Sequence, residues 1–198
     1  MPCAATRVVI VPGNGCDGTL EELRSCNFYG AAETGFHKSG CVVAMQPMPD
    51  PLRARESVWV PFILNQLGAD ANTVLIGHSS GAAAALRVAE KTKLRGLVLV
   101  AAYDDSLGDE LEEASGYFSR PFDWPGIANN CGFIIQFAGT KDRLVPIAVQ
   151  RRVAHSLGSA VDYRELPLRD HFFSPPFDEL LHAVQHHLQQ ADAAALEE

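Results

Sequence analysis

Thr73-Val74-Leu75-Ile76-Gly77-His78-Ser79-Ser80-Gly81-Ala82 decides how this chain is read. A short apolar run with β-branched residues meets a G-x-S-x-G pattern, and alanines follow at Ala83, Ala84 and Ala85. The run predicts a buried strand, and the alanines predict a helix over Ser80–Thr92. Between a strand and a helix, G-x-S-x-G marks a sharp, strained turn that lifts a serine oxygen above the sheet. A side chain at either glycine would crowd that turn. Ser79 takes the nucleophile position, and Ser80 follows it, where a backbone N–H can serve as an oxyanion donor. The competing reading of the same residues is a chance Gly-Ser-Gly turn.

Similar strand signals lie on both sides. Arg7–Val11, Cys41–Met45, Leu97–Ala101 and Phe133–Phe137 are short, mostly unalternating apolar runs, and Val161–Leu166 is a weaker sixth candidate. Such runs predict strands buried on both faces, as in a parallel sheet between helices. Helices are predicted over Arg53–Leu67, from apolar spacing, and over Val145–Leu157, from Pro146 at its start and Gly158 at its stop. A closing helix is expected over Phe177–Gln190. The alternation predicts an α/β fold: a mainly parallel sheet of about six strands, helices on both faces and right-handed crossovers. One domain over residues 1–190 is expected, with 191–198 a tail of the kind a cloning vector leaves. Ala102–Trp124 is the one long insertion after a strand and the candidate cover for a site, too short for a separate cap domain.

A serine hydroxyl needs a general base held by a third group, and in this architecture the order along the chain is serine, acid, histidine. Asp142 follows the Phe133–Phe137 run and His171 follows Val161–Leu166, both where strands end. Asp104 and Asp105, after the Leu97–Ala101 run, are rival acids. His37, His78 and His155 do not suit the order. His182 and His186 have metal-like i, i+4 spacing but no acidic residue on their face, and read as a solvated helix surface. No metal and no cofactor is expected. Pro12-Gly13-Asn14-Gly15, after the first strand, can expose N–H groups for a second oxyanion donor. The candidates are Gly13, Asn14 and Gly15, alongside Ser80. Phe28, Tyr29, Phe118 and Trp124 are candidates either for substrate binding or for ordinary core.

Composition sets outer limits. The 198 residues are 47% hydrophobic and 20% charged, which excludes a disordered chain. No apolar stretch reaches membrane-span length, so no membrane association is expected. The formal charge of −8 opposes nucleic-acid binding. Five cysteines, an odd number without a C-x-x-C pair, predict free thiols and a cytoplasmic protein.

Val8–Gly15, Met48–Pro51, Ala54–Trp59, Ile76–Ala82, Val98–Tyr103, Leu107–Glu110, Ala114–Phe118 and Ile135–Phe137 together resemble the retinoblastoma-binding protein 9 family of serine hydrolases. The resemblance runs from about Val8 to His187. It implies a compact α/β-hydrolase fold and a Ser-Asp-His triad that falls on Ser79, Asp142 and His171. A serine hydrolase acting on small-molecule ester or amide substrates, aminoacyl ones among them, through an acyl-enzyme is the expected function. Two departures stand out. Where the family has a Leu-x-Cys-x-Glu motif for pocket-protein binding, this chain has Leu67-Gly68-Ala69-Asp70-Ala71. Retinoblastoma-type pocket-protein binding is therefore not carried over. Lys141-Asp142-Arg143 replaces a pair of aspartates, leaving Asp142 as the only acid in its loop. The alternative from another class is a non-catalytic binding module built on the same fold.

Overall fold

Consecutive residues of a strand face opposite sides of a sheet, and in this chain both sides are apolar. The computed structural model, which describes residues 6–194, shows Val8, Ile10, Val74, Ile76 and Val98 in one core. Val9, Val11, Leu75, Leu97 and Leu99 lie in the other. This two-sided burial is why the strands read as unbroken apolar runs. They are β1 (Arg7–Val11), β2 (Val42–Ala44), β3 (Thr73–His78), β4 (Gly96–Val100), β5 (Ile134–Gly139) and β6 (Val161–Leu166). All pair in parallel, in the order β2-β1-β3-β4-β5-β6.

The helices are α1 (Leu20–Ser25), α2 (Tyr29–Lys38), α3 (Glu56–Asn65), α4 (Ser80–Ala89), α5 (Glu110–Ser115), α6 (Trp124–Asn130), α7 (Ile147–Leu157) and α8 (Asp178–Ala194). Helices α1, α2 and α8 bury Leu23, Phe36 and Leu180 on the first face. The second face is covered by α3, α4, α6 and α7, through residues such as Trp59, Leu86, Ile127 and Val153. Helices α1, α2, α5 and α6 had no counterpart in the sequence reading, and α8 runs on to Ala194, into the segment read as a tail. No helix among the described residues is long and apolar enough to cross a membrane.

Every residue of α4 is buried, Arg87 included. The Arg87 guanidinium donates to the carbonyls of Tyr117, Arg120 and Pro121, pairs with Glu90 at 2.6 Å and lies 3.8 Å over the Phe122 ring. It thereby fastens the insertion after β4 to the central helix. Strand order reverses between β1 and β3, and ligands bind at the carboxyl ends of strands beside such a reversal. Val11 pairs with Gly77 there, so the loop after β1 runs beside the turn that holds Ser79.

Candidate active site

Ser79 has φ 55° and ψ −122°, a backbone conformation that costs a non-glycine residue about 1–3 kcal/mol. Its surroundings hold it there. The Ser79 N–H donates to Val100 O at 2.9 Å, across to the end of β4. A Cβ on Gly77 would lie 2.3 Å from Gly81 O, and one on Gly81 would lie 2.4 Å from the carbonyl oxygens of both Val11 and Pro12. The two glycines let α4 begin in direct contact with β3 and the β1 loop. The Ser80 N–H, in the first turn of α4, lies among the donors that a helix leaves without an internal partner, at its positive end.

The loops after β5 and β6 are laced together beside this turn. Gly139 ends β5, and a Cβ there would meet Asp170 O at 2.4 Å, so only glycine lets the loop after β6 cross. The Lys141 N–H donates to Arg169 O at 2.9 Å, and the Leu168 N–H to Thr140 Oγ1 at 2.9 Å. Across this lacing His171 Nδ1 meets Asp142 Oδ2 at 2.8 Å. The Asp142 side chain is fully buried and accepts further bonds: Oδ1 from the N–H groups of Leu144 and Val145, both at 2.9 Å, and Oδ2 from Gln150 Nε2 at 3.2 Å. A carboxylate only accepts, so the proton sits on His171 Nδ1 and the Nε2 lone pair is free. Among the described residues neither Ser79 Oγ nor His171 Nε2 has a hydrogen-bond partner; such contacts often tighten only when substrate binds. The rival acids are committed elsewhere, since both Asp104 and Asp105 pair with Arg152.

A buried strap joins His171 to the loop after β1. The Gly13 N–H donates to Tyr29 OH at 2.9 Å, Tyr29 OH contacts His78 Nδ1 at 2.6 Å, and His78 Nε2 contacts His171 O at 2.9 Å. A carbonyl only accepts, so His78 carries its proton on Nε2 and Tyr29 donates to Nδ1. Gly15 donates its N–H to Pro51 O at 2.9 Å. Of the three loop candidates for an oxyanion donor, Gly13 and Gly15 are thus already engaged, and Asn14 is left. The strap was missed in the sequence, where His78 was weighed only as a base and Tyr29 only as a substrate contact or ordinary core.

Burial, with His171 close by, pushes the His78 pKa down from 6.5 to about 3. An unfolded chain protonates His78 below pH 6.5 while the folded chain does not. Falling pH therefore costs stability between about 6.5 and 3, at about 1.4 kcal/mol per pH unit. Urea unfolding at a series of pH values should show a slope in wild type steeper by about one proton than in His78→Gln. Parallel slopes would contradict a neutral His78.

Ser79 opens into a cavity of about 270 Å³, whose wall includes Tyr103, Leu107, Leu111, Glu112 and Leu144. None of the aromatic candidates is in that wall. Phe28 and Tyr29 are fully buried in the core under α1 and α2, and Phe28 packs edge-on to Phe177 at 5.2 Å. Phe118 packs behind Tyr103 with ring centroids 5.4 Å apart, and Trp124 packs on Phe122 at 5.2 Å. The described cysteines are free; burial pushes the Cys16 thiol up to about 11 and that of Cys131 up to about 12, so both stay protonated. Cys3 lies outside the described residues. No group of three or more His, Cys, Asp or Glu side chains suited to a metal occurs among the described residues.

Known proteins share this fold. The family model described as the alpha/beta hydrolase family matches residues 8–197. Serine hydrolase RBBP9 of Rattus norvegicus is 43% identical over 187 residues, covering 94% of this chain and 97% of the rat protein. The putative hydrolase YdeN of Bacillus subtilis (strain 168) is 29% identical over 58% of this chain and 62% of its own length. The solved structure of the B. subtilis ydeN gene product superposes with a TM-score of 0.79 at 22% identity, over 93% of this chain and 100% of that one. Est1E from Butyrivibrio proteoclasticus superposes with a TM-score of 0.71 at 13% identity, over 96% and 89%; at such identities the likeness concerns the fold alone. The chain belongs to the alpha/beta hydrolase family and, within it, to the serine hydrolases related to RBBP9. It is a hydrolase.

Proposed function

We propose that this hydrolase cleaves small carboxylic esters or amides through a Ser79-His171-Asp142 triad and an acyl-enzyme. The observation that carries the reading is the 2.8 Å bond from His171 Nδ1 to the buried Asp142 carboxylate, beside a serine held at φ 55°. His171 Nε2 takes the Ser79 proton as Oγ attacks the carbonyl carbon. Asp142 keeps the imidazole in the tautomer that can do this and stabilises the imidazolium. The oxyanion is received by the N–H groups of Asn14 and Ser80, each worth about 3 kcal/mol in the transition state. His171 then returns the proton to the leaving oxygen or nitrogen, and water releases the acyl group by the same route.

The cavity supports a substrate with a small apolar portion. Leu111 is 50% and Leu144 57% exposed, large apolar surfaces offered at its mouth. Asp109 lines the same wall, which together with the −8 charge disfavours anionic substrates and suits an aminoacyl group. The purified protein should turn over para-nitrophenyl acetate with an initial burst, and should prefer it to the para-nitrophenyl hemisuccinate by about tenfold or more. Preference for the anionic ester, or no turnover of neutral esters and aminoacyl amides alike, would contradict the proposal.

A further inference from the structure

We infer that Glu112 is a positioning residue that ties the two oxyanion donors of this site to one another; the inference rests on the triad reading above. Asn14 and Ser80 come from opposite sides of the strand-order reversal, one on the β1 loop and one at the start of α4. Their side chains meet on a single oxygen. Ser80 Oγ donates to Glu112 Oε1 at 2.8 Å, and Asn14 Nδ2 donates to the same oxygen at 3.2 Å. Tyr103 OH donates to Ser80 Oγ at 3.0 Å, which fixes the direction of the Ser80 hydroxyl.

The helix that presents Glu112 is held at both ends. Asp109 caps α5 by accepting from the N–H groups of Leu111 and Glu112, at 2.9 and 3.0 Å, and Gly116 ends it in the left-handed region at φ 91°. The segment beyond is fastened to α4 by Arg87. Glu112 thus joins the insertion after β4 to the donors on either side of Ser79.

A second observation points the same way. Glu112 Oε2 is buried without a partner, a costly placement for a carboxyl group. Burial pushes its pKa up, toward the neutral acid. Neutrality suits the role: Oε1 can be the carbonyl oxygen that accepts both bonds, and no negative charge stands beside the forming oxyanion. Glutamine has the same acceptor in the same place and stays neutral.

The test uses the full chain, para-nitrophenyl acetate as substrate and a trifluoromethyl ketone. Ser79 adds to the ketone carbonyl, and the resulting hemiketal oxygen occupies the oxyanion hole. Glu112→Ala should lower kcat by about ten- to a hundredfold and weaken the ketone by a similar factor, with KM changed little. Glu112→Gln should recover most of both. Ser80→Ala should resemble Glu112→Ala, and the double variant should be no worse than the poorer single, because both cuts sever one link. A loss confined to KM, a glutamine variant no better than alanine, or multiplying losses would overturn the inference. Fluorophosphonate labelling of each variant separates the two levels. If wild type does not label at Ser79, the triad reading fails; if it labels and Glu112→Ala turns over like wild type, only the tie fails.

Discussion

Replacing Ser79 by alanine is expected to lower kcat/KM by about 10⁵-fold or more while leaving the fold in place. The second half of that expectation follows from the geometry. The Ser79 hydroxyl makes no hydrogen bond to the protein among the described residues, and alanine keeps the Cβ and the strained backbone. Melting temperature and far-ultraviolet circular dichroism should therefore match wild type. The first half follows from the nucleophile having no substitute. Ser80 is nearest in sequence, but its Oγ is buried between Glu112 and Tyr103. His171→Ala should cost about as much, and Ser79→Ala/His171→Ala no more than either, since nucleophile and base act as one unit. A Ser79→Ala protein retaining a tenth of the activity would show that another group attacks.

The second large effect is expected at the acid. Asp142→Asn should lower turnover by about 10⁴-fold, whereas Asp104→Asn should stay within about threefold of wild type. Both oxygens of Asp142 are acceptors with fixed donors. If the asparagine carbonyl takes the Oδ1 place, facing the N–H groups of Leu144 and Val145, its NH₂ faces Gln150 Nε2 and His171 Nδ1. Two donors then oppose each other, and His171 must move its proton to Nε2, which removes the lone pair that the base needs. Turning the amide over sets NH₂ against the two backbone donors instead. Asp104 pairs with Arg152, whereas His171 Nδ1 is bonded to Asp142. Steady-state kinetics on para-nitrophenyl acetate decides the matter, and the reverse ranking would place the acid at Asp104.

The sheet was legible because its central strands β1, β3, β4 and β5 are buried on both faces and so spell themselves as apolar runs. Even the edge strand β6, uniformly half-buried, lies where the weaker pattern placed it, at Val161–Leu166. Helix α2 was not legible, and its glycines show why. A Cβ on Gly30 would lie 2.3 Å from Arg24 O, and Gly35 packs against Leu181. Glycine is there for close approach, while in sequence it reads as a poor helix former. Helices α1 and α5 have six residues each, too few for a periodic signal.

The turn at Ser79 and the positions of Asp142 and His171 at strand ends could be read from one motif and the order of strands. What surrounds them could not. Glu112 is one of three glutamates between Glu110 and Glu113, and only the placement of α5 distinguishes it. Phe28 and Tyr29 carry no mark separating a core aromatic from a pocket wall. The tyrosine hydroxyl gained its role only because α2 brings it between Gly13 and His78. Among Gly13, Asn14 and Gly15, which N–H groups are already spent shows only in the folded chain.

Labelling with a fluorophosphonate probe followed by peptide mapping tests the central claim most directly, because the probe bonds only to a serine activated by its own base. Wild type is predicted to take up one probe per chain, on Ser79, and Ser79→Ala to take up none. Equal labelling of both proteins would contradict the assignment of Ser79, and a folded wild-type protein that does not label would leave a hydrolase fold serving as a binding module.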